Sequence, residues 1–149
     1  MFMAEALAEV LLVEDSPDDA AFFVRAFEQT GLAARLRVLP DGAEALAFVF
    51  GTGRFAALQP AANPRLIVLD LKLPKVNGLE VLRRLKADPR TRRIPVVIWS
   101  SSQEARDLAE SCAMGVNSYV VKPMAFDEFG RSVQMLCQYW LQFNQAPEQ

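Results

Sequence analysis

The sequence predicts an α/β fold, a doubly wound five-stranded parallel sheet with five helices distributed over its two faces. Two observations carry this reading. Five short apolar runs alternate with stretches of helical period between Glu9 and about Phe143, and each connection is long enough for a right-handed βαβ crossover. The third run, Leu66-Ile67-Val68-Leu69, is apolar without interruption and bounded by turn residues. That is the pattern of a strand buried on both faces, hence a central parallel strand. It runs straight into a carboxylate, Asp70, at the sheet edge where ligands and chemistry collect in open α/β folds.

The elements follow in order. Residues 1–8 read as a loosely attached lead, and Glu9 to Val13 as a first buried strand ending at Glu14-Asp15. Ser16-Pro17-Asp18-Asp19 starts a helix: Ser is the cap, Pro takes the first turn, and Asp19 completes a capping box. Ala20, Phe23, Val24 and Phe27 face inward, and Gly31 stops the helix. Arg35 to Leu39 alternates, as a less buried strand does. Asp41-Gly42 turns the chain into a short helix through Ala45, Leu46, Val49 and Phe50, closed by Gly51. Thr52 to Pro64 reads as a long loop with one helical turn at Phe55–Leu58. A loop of that length is either functional or a tolerated surface insertion.

After the central strand, Asn77 caps a helix with Glu80 three residues on, and Asp88-Pro89 ends it. Ile94 to Trp99 is a fourth buried strand, and Ser101 with Glu104 forms a capping box for a helix ending near Gly115. Ser118 to Val121 is a short fifth strand, followed by Lys122-Pro123 and a last helix from about Phe126 to about Phe143. Residues 9–143 therefore form a single domain, 1–8 a lead and 144–149 a tail, with no second domain in the sequence.

Composition narrows the chemistry. With 52% hydrophobic and 23% charged residues the 149-residue chain is an ordinary globular domain. Its net charge of −2 does not advertise nucleic acid or an anionic membrane. The basic run Arg83, Arg84, Lys86, Arg90, Arg92, Arg93 reads as a solvated helix end and loop. No run reaches transmembrane length, and the N-terminus lacks the basic start of a signal peptide. Cys112 and Cys137 lack metal or redox spacing and read as reduced, part-buried thiols of a cytoplasmic protein. The sequence contains no histidine, which excludes histidine acid–base catalysis, histidine metal sites and a phosphohistidine on this chain.

Polar groups stand at four strand ends: Glu14 and Asp15 after the first, Asp70 after the third, Ser100 after the fourth and Lys122 after the fifth. Strands one, three, four and five have neighbouring carboxyl ends in such a sheet, so these groups converge on one shallow pocket. Three carboxylates together repel, and Mg²⁺, a hard cation that takes oxygen ligands, answers that repulsion. Asp70 can then act as a carboxylate nucleophile toward phosphorus, with Lys122 and the Ser100 hydroxyl beside the transferred group. Each residue alone has an ordinary explanation, as a turn residue, helix start, cap or surface lysine. Five of them at four strand ends of one sheet do not.

The motifs Leu12-Val13-Glu14-Asp15-Ser16-Pro17, Leu69-Asp70-Leu71-Lys72-Leu73-Pro74 with Asn77-Gly78, Trp99-Ser100-Ser101 and Tyr119-Val120-Val121-Lys122-Pro123 resemble those of the receiver domains of two-component response regulators. The resemblance covers about Glu9 to Leu141. It implies the flavodoxin-like strand order 2-1-3-4-5 and a phosphoryl group accepted on Asp70 from a sensor histidine kinase. It implies Mg²⁺ held by Asp15, Asp70 and the backbone carbonyl of Lys72, with Glu14 acting directly or through water, and Ser100 and Lys122 on the phosphoryl oxygens. It implies a cis bond before Pro123 and a switch in which Ser100 moves toward the phosphoryl group and Tyr119 turns inward. Such a protein is a phosphoacceptor, not an enzyme with a separate substrate.

The sequence departs from the family pattern at Lys72, where many members have Asn, at Ser100 in place of Thr, and at Trp99. The long loop and aromatic last helix resemble stand-alone receivers paired with bacterial phytochrome histidine kinases. Phe129, Val133, Leu136, Trp140 and Phe143 fall on one helix face. An 18-residue helix of about 27 Å overhangs a small sheet, so this face is expected to form a homodimer; the competing expectation is that it folds back on its own domain. Among rival functions, a phosphatase of the haloacid dehalogenase type needs an acid where Lys72 stands. A flavin or nucleotide binder needs a Gly/Ser/Thr-rich loop where the acids 14–19 stand. The remaining alternative is a receiver-fold module that binds partners without phosphorylation.

Overall fold

The computed structural model describes residues 8–58 and 63–147. Strands β1 (Val10–Val13), β2 (Leu36–Leu39), β3 (Leu66–Leu69), β4 (Val96–Ser100) and β5 (Ser118–Val121) form one parallel sheet in the order β2-β1-β3-β4-β5. Between and after them run α1 (Pro17–Gln29), α2 (Gly42–Phe50), a 3₁₀ helix (Gly53–Leu58), α3 (Gly78–Ala87), α4 (Ala105–Ala113) and α5 (Phe126–Gln138). The expected doubly wound sheet and its strand order are those of the structure.

Alternation along the strands builds two cores. Val10 and Leu12 of β1, Leu66 and Val68 of β3 and Val97 and Trp99 of β4 pack with Phe23 and Phe27 of α1 and Phe129 and Val133 of α5. Their neighbours Leu11, Val13, Ile67, Leu69, Val96 and Ile98 pack on the other face with Leu46 and Val49 of α2 and Leu82 and Leu85 of α3. Burial on both faces is why these strands read as unbroken apolar runs. Trp99 anchors the first core, edge-on to Phe23 and Phe129 at 5.9 and 5.0 Å between ring centres. Its buried indole N–H has no acceptor among the described residues.

Several expectations are corrected. Ala8, assigned to the lead, is buried against the α2/α3 core; residues 1–7 lie outside the described residues. Ser101 does not cap α4. Glu104 stands at the cap position without a side-chain bond, and Ser102 Oγ accepts from the Glu104 amide and donates to Asp107 at 2.6 Å. The loop after α2 is not merely a surface insertion: Phe55 is buried and packs edge-on to Phe48 at 5.2 Å, while residues 59–62 lie outside the described residues. Lys86 is not a solvated end. It is half-buried and donates to the carbonyls of Arg92 and Ile94 and to Asn117 Oδ1. Cys112 is exposed and Cys137 fully buried, so neither is half-buried as expected.

The last helix also differs. After Gln138 the chain widens into a π turn over Tyr139–Phe143, closed by the Asn144 amide on the Tyr139 carbonyl at 2.7 Å. A wider turn changes which residues face inward. Leu141 enters the core, Phe143 swings out to 75% exposure and Trp140 lies half-buried. Arg65 donates to the Leu141 carbonyl at 2.7 Å and ties the turn to the start of β3. Phe129, Val133 and Leu136, expected on a dimer face, are buried within their own domain. No helix among the described residues is long and apolar enough to cross a membrane.

Candidate functional site

Register places the acids. Val13 pairs with Leu69 across β1 and β3, so the next residues, Glu14 and Asp70, leave the sheet side by side. The Asp70 amide donates to the Val13 carbonyl at 3.1 Å and continues the ladder one step past the strands. Ser100 pairs with Val121 across β4 and β5, and the Lys122 amide donates to the Ser100 carbonyl at 2.8 Å. Four strand ends thus deliver their polar groups to one rim.

The Lys122 ammonium is the hub of that rim. It donates to Glu14 Oε1 at 2.5 Å, Asp19 Oδ2 at 2.9 Å and Asp70 Oδ2 at 3.0 Å. An ammonium has three N–H donors, and here all three are used. The side chains of Lys122, Asp70 and Glu14 are 8%, 10% and 1% exposed. Glu14, Asp15 and Asp70 each present one oxygen within 4.8 Å of the others. Asp15 is exposed and the other two are buried, so the cluster faces solvent on one side.

The charges in this cluster do not balance. Burial, with the nearby charge of Asp70, pushes the Glu14 carboxyl up to about 7 against the pull of Lys122. Burial opposes the charge on Lys122, but its bonds to Glu14, Asp19 and Asp70 outweigh that and raise its pKa. A raised acid beside an already saturated ammonium marks surplus negative charge, and an all-oxygen donor set of three carboxylates suits a hard divalent cation.

Behind Asp70 the backbone is packed to its limit. The Gly78 amide donates to the Leu71 carbonyl at 2.8 Å. A Cβ on Gly78 would lie 2.2 Å from the Asp70 carbonyl oxygen, and one on Gly42 would lie 1.8 Å from that of Val76. The Lys72 amide donates to Asp70 Oδ1 at 3.3 Å and steadies the carboxylate, while Lys75 adopts φ of +67° and pairs with Asp41 at 3.5 Å. On the far side Ser100, fully buried, accepts from the Ser102 amide at 3.2 Å, and the half-buried Tyr119 donates its hydroxyl to the Ser102 carbonyl at 2.9 Å.

Residues 10–134 match the family model of the response regulator receiver domain. The chain belongs to that family. This receiver is 40% identical over 141 residues to a probable methanogenesis regulatory protein, FilR2, of Methanothrix harundinacea, covering 93% of this chain and 86% of that one. Its fold superposes on the Mn²⁺-bound response regulator Rcp1 with a TM-score of 0.87 at 34% identity, covering 93% and 98% of the two chains; Rcp1 comes from Synechocystis. The phosphorylated cyanobacterial phytochrome response regulator RcpA gives 0.87 at 34% identity over 93% and 97%. The bacteriophytochrome response regulator AtBRR gives 0.73 at 43% identity over 93% and 99%. The resemblance to phytochrome-associated receivers read from the loop and last helix thus holds.

Within the receiver, Glu14, Asp15, Asp70, Ser100 and Lys122 come together at one rim. Tyr119 joins it through Ser102 and Lys72 through its amide, and Pro123 follows Lys122, half-buried. Two participants were not anticipated. Asp19, read as the second half of a capping box, does donate its amide to Ser16 Oγ at 3.2 Å, but its carboxylate accepts from Lys122. The Ser16 amide turns instead to Glu14 Oε2 at 3.3 Å. Ser102 links Ser100 to Tyr119. The surviving signal for Asp19 was its excess: one acid at that turn caps a helix, and four acids within residues 14–19 exceed what a helix start uses.

Proposed function

We propose that this receiver is a single-domain response regulator that accepts a phosphoryl group on Asp70 from a sensor histidine kinase. The observation that carries the proposal is the Asp70 carboxylate itself, buried at the end of the central strand with Lys122 at 3.0 Å and two further carboxylates alongside. An Asp70 oxygen attacks the phosphorus of a phosphohistidine. The new O–P bond forms as the P–N bond breaks, and the imidazole leaves as it regains a proton. Glu14, Asp15, Asp70 and the Lys72 carbonyl would hold Mg²⁺, whose charge offsets that of the carboxylates and the incoming phosphoryl oxygens. The Lys122 ammonium and the Ser100 hydroxyl donate to those oxygens. On this reading the chain is a phosphoacceptor and not an enzyme with a separate substrate, and it works in the cytoplasm.

The switch follows from the bonds around Ser102. A Ser100 hydroxyl drawn to the phosphoryl group leaves the Ser102 amide, and the Ser102 carbonyl is what holds the Tyr119 hydroxyl. Phosphorylation then frees Tyr119 to turn inward, a discrete packing change of the kind that signals. The likeness to phytochrome response regulators supports a bacterial phytochrome histidine kinase as the donor. The apolar groups left outside on the last helix and turn, Met135, Tyr139 and Phe143, are 70%, 49% and 75% exposed, and they support a homodimer there in place of the buried face. A monomer in sedimentation at high concentration, with and without a phosphoryl mimic, removes the dimer.

The test is intact mass after incubation with acetyl phosphate, with and without Mg²⁺, on wild type and Asp70→Asn. The expected result is a labile, Mg²⁺-dependent gain of one phosphoryl group that the variant lacks. If neither acetyl phosphate nor a purified phosphohistidine kinase labels the wild type, the protein is a phosphorylation-independent binding module.

A further inference from the structure

The Asp19 carboxylate has no place in the phosphoryl chemistry described above, yet it takes one of the three bonds of Lys122 at 2.9 Å. It is not among the three carboxylates that group for a cation. It sits in the first turn of α1 with its side chain 34% exposed, against 8% for Lys122. A saturated ammonium must release one partner before it can donate to a new one. Glu14 and Asp70 are buried, and in the absence of a cation releasing either strands a carboxylate out of water. Asp19 alone can turn to solvent when released.

We propose that Asp19 is a positioning residue that parks Lys122 in the unphosphorylated protein and exchanges it for the phosphoryl oxygens, so that its carboxylate sets how readily the phosphorylated state forms. The proposal rests on the phosphoacceptor role of Asp70. The Asp19–Lys122 bond exists only in the resting state, so its energy opposes the change. Removing it shifts the equilibrium toward the phosphorylated conformation by that amount.

The experiment measures the affinity for beryllofluoride, a phosphoryl mimic that binds without a covalent step, in the presence of Mg²⁺. Wild type, Asp19→Asn and Asp19→Glu are compared. Asp19→Asn is expected to bind the mimic about two- to fivefold more tightly, the range of a partly exposed charged pair, with its affinity for Mg²⁺ alone unchanged within about twofold. Asp19→Glu keeps the carboxylate and is expected to stay close to wild type. In a Lys122→Ala background the Asp19→Asn gain is expected to vanish, because the effect runs through the ammonium; a gain that persists there shows direct repulsion of the anion and overturns the proposal. Should Lys122→Ala not bind the mimic at all, the carboxyl carbon resonance of Asp19 in the wild type decides. A shift on adding beryllofluoride supports release, and no shift overturns it. A wild type that binds the mimic as tightly as Asp19→Asn overturns the proposal but leaves the phosphoacceptor role standing. A wild type that neither binds the mimic nor takes up phosphoryl overturns both.

Discussion

Lys122 Nζ lies 3.0 Å from Asp70 Oδ2, joining two residues 52 positions apart by a contact that no local pattern specifies. It arises because β3 and β5 flank β4 and run parallel to it, so that their carboxyl ends lie on one edge of the sheet. The pair is also shared: the same ammonium serves Glu14 and Asp19. Much of the site's behaviour follows from one cation standing among too many carboxylates.

Removing that cation is costly. Lys122→Ala leaves Glu14 and Asp70 buried without their counter-charge. Breaking a buried pair from one side costs about 3–5 kcal/mol. At pH 8 without divalent metal, the variant is expected to melt about 10 °C below wild type. The deficit shrinks at pH 5, where Glu14 takes up a proton, and also shrinks on adding Mg²⁺. Thermal denaturation followed by circular dichroism checks this.

The pH dependence of the metal-free protein has a definite sign. Glu14 is raised from 4.5 to about 7 on folding, first by burial and then by the charge of Asp70. Between those values the folded state holds more protons than the unfolded one, so stability falls as pH rises through the window. Glu14→Gln, which has no proton to lose, is expected to flatten that fall and to be the more stable protein at pH 8 without metal. With Mg²⁺ present the order is expected to reverse, because on the proposed reading Glu14 helps hold the ion. Urea titrations at pH 5, 6, 7 and 8 read this out.

The two crowded glycines are not replaceable. A Cβ on Gly78 meets the Asp70 carbonyl oxygen at 2.2 Å, and the atom it meets is backbone. Gly78→Ala is expected to cost about 2–3 kcal/mol and to weaken Mg²⁺ binding by shifting Asp70. Gly130 in α5 has nothing within 4 Å of an added Cβ. There Gly→Ala is expected to stabilise by about 0.5–1 kcal/mol and to leave Mg²⁺ affinity alone. Calorimetric titration of both variants separates the two effects.

The C-terminal turn hangs on Arg65, which reaches the Leu141 carbonyl at 2.7 Å and Glu9 at 3.2 Å. Arg65→Ala is expected to loosen residues 139–144, with faster hydrogen exchange at the Asn144 amide. The global loss is expected to be about 1 kcal/mol, as for one ordinary hydrogen bond, because the Arg65 side chain is partly exposed. Unchanged exchange at Asn144 rejects a role for Arg65 in holding this turn.

Much of the molecule was legible because its signals are local. Ser16 and Asn77 cap their helices as their spacing to Asp19 and Glu80 predicts, each accepting the amide three residues on. Gly51 closes α2 in the left-handed region, at φ of +65°, where other residues are strained. The central strand and its terminal carboxylate were visible as an apolar run that stops on Asp70. The misreadings at Asp19 and the serine run share one cause: a side chain with two possible partners, one near in sequence and one near only in space. Asp19 fits a capping box, and tertiary structure sends it to Lys122. The run Ser100-Ser101-Ser102 offers three hydroxyls, and the fold uses the first at the acidic rim and the third at the helix start.

The sequence by itself determined the strand and helix order, the central position of Asp70 and the convergence of five polar groups on one edge, since periodicity and the rules of parallel sheets leave little other choice. Tertiary structure alone decided how Lys122 divides its three bonds. It also decided that Ser102 links Ser100 to Tyr119, and that the last helix buries Phe129, Val133 and Leu136 in its own domain while the π turn after it puts Phe143 outside. Those outcomes depend on competition among partners at short range. Differences of a few tenths of an ångström and the availability of water settle that competition, and neither is encoded in spacing along the chain.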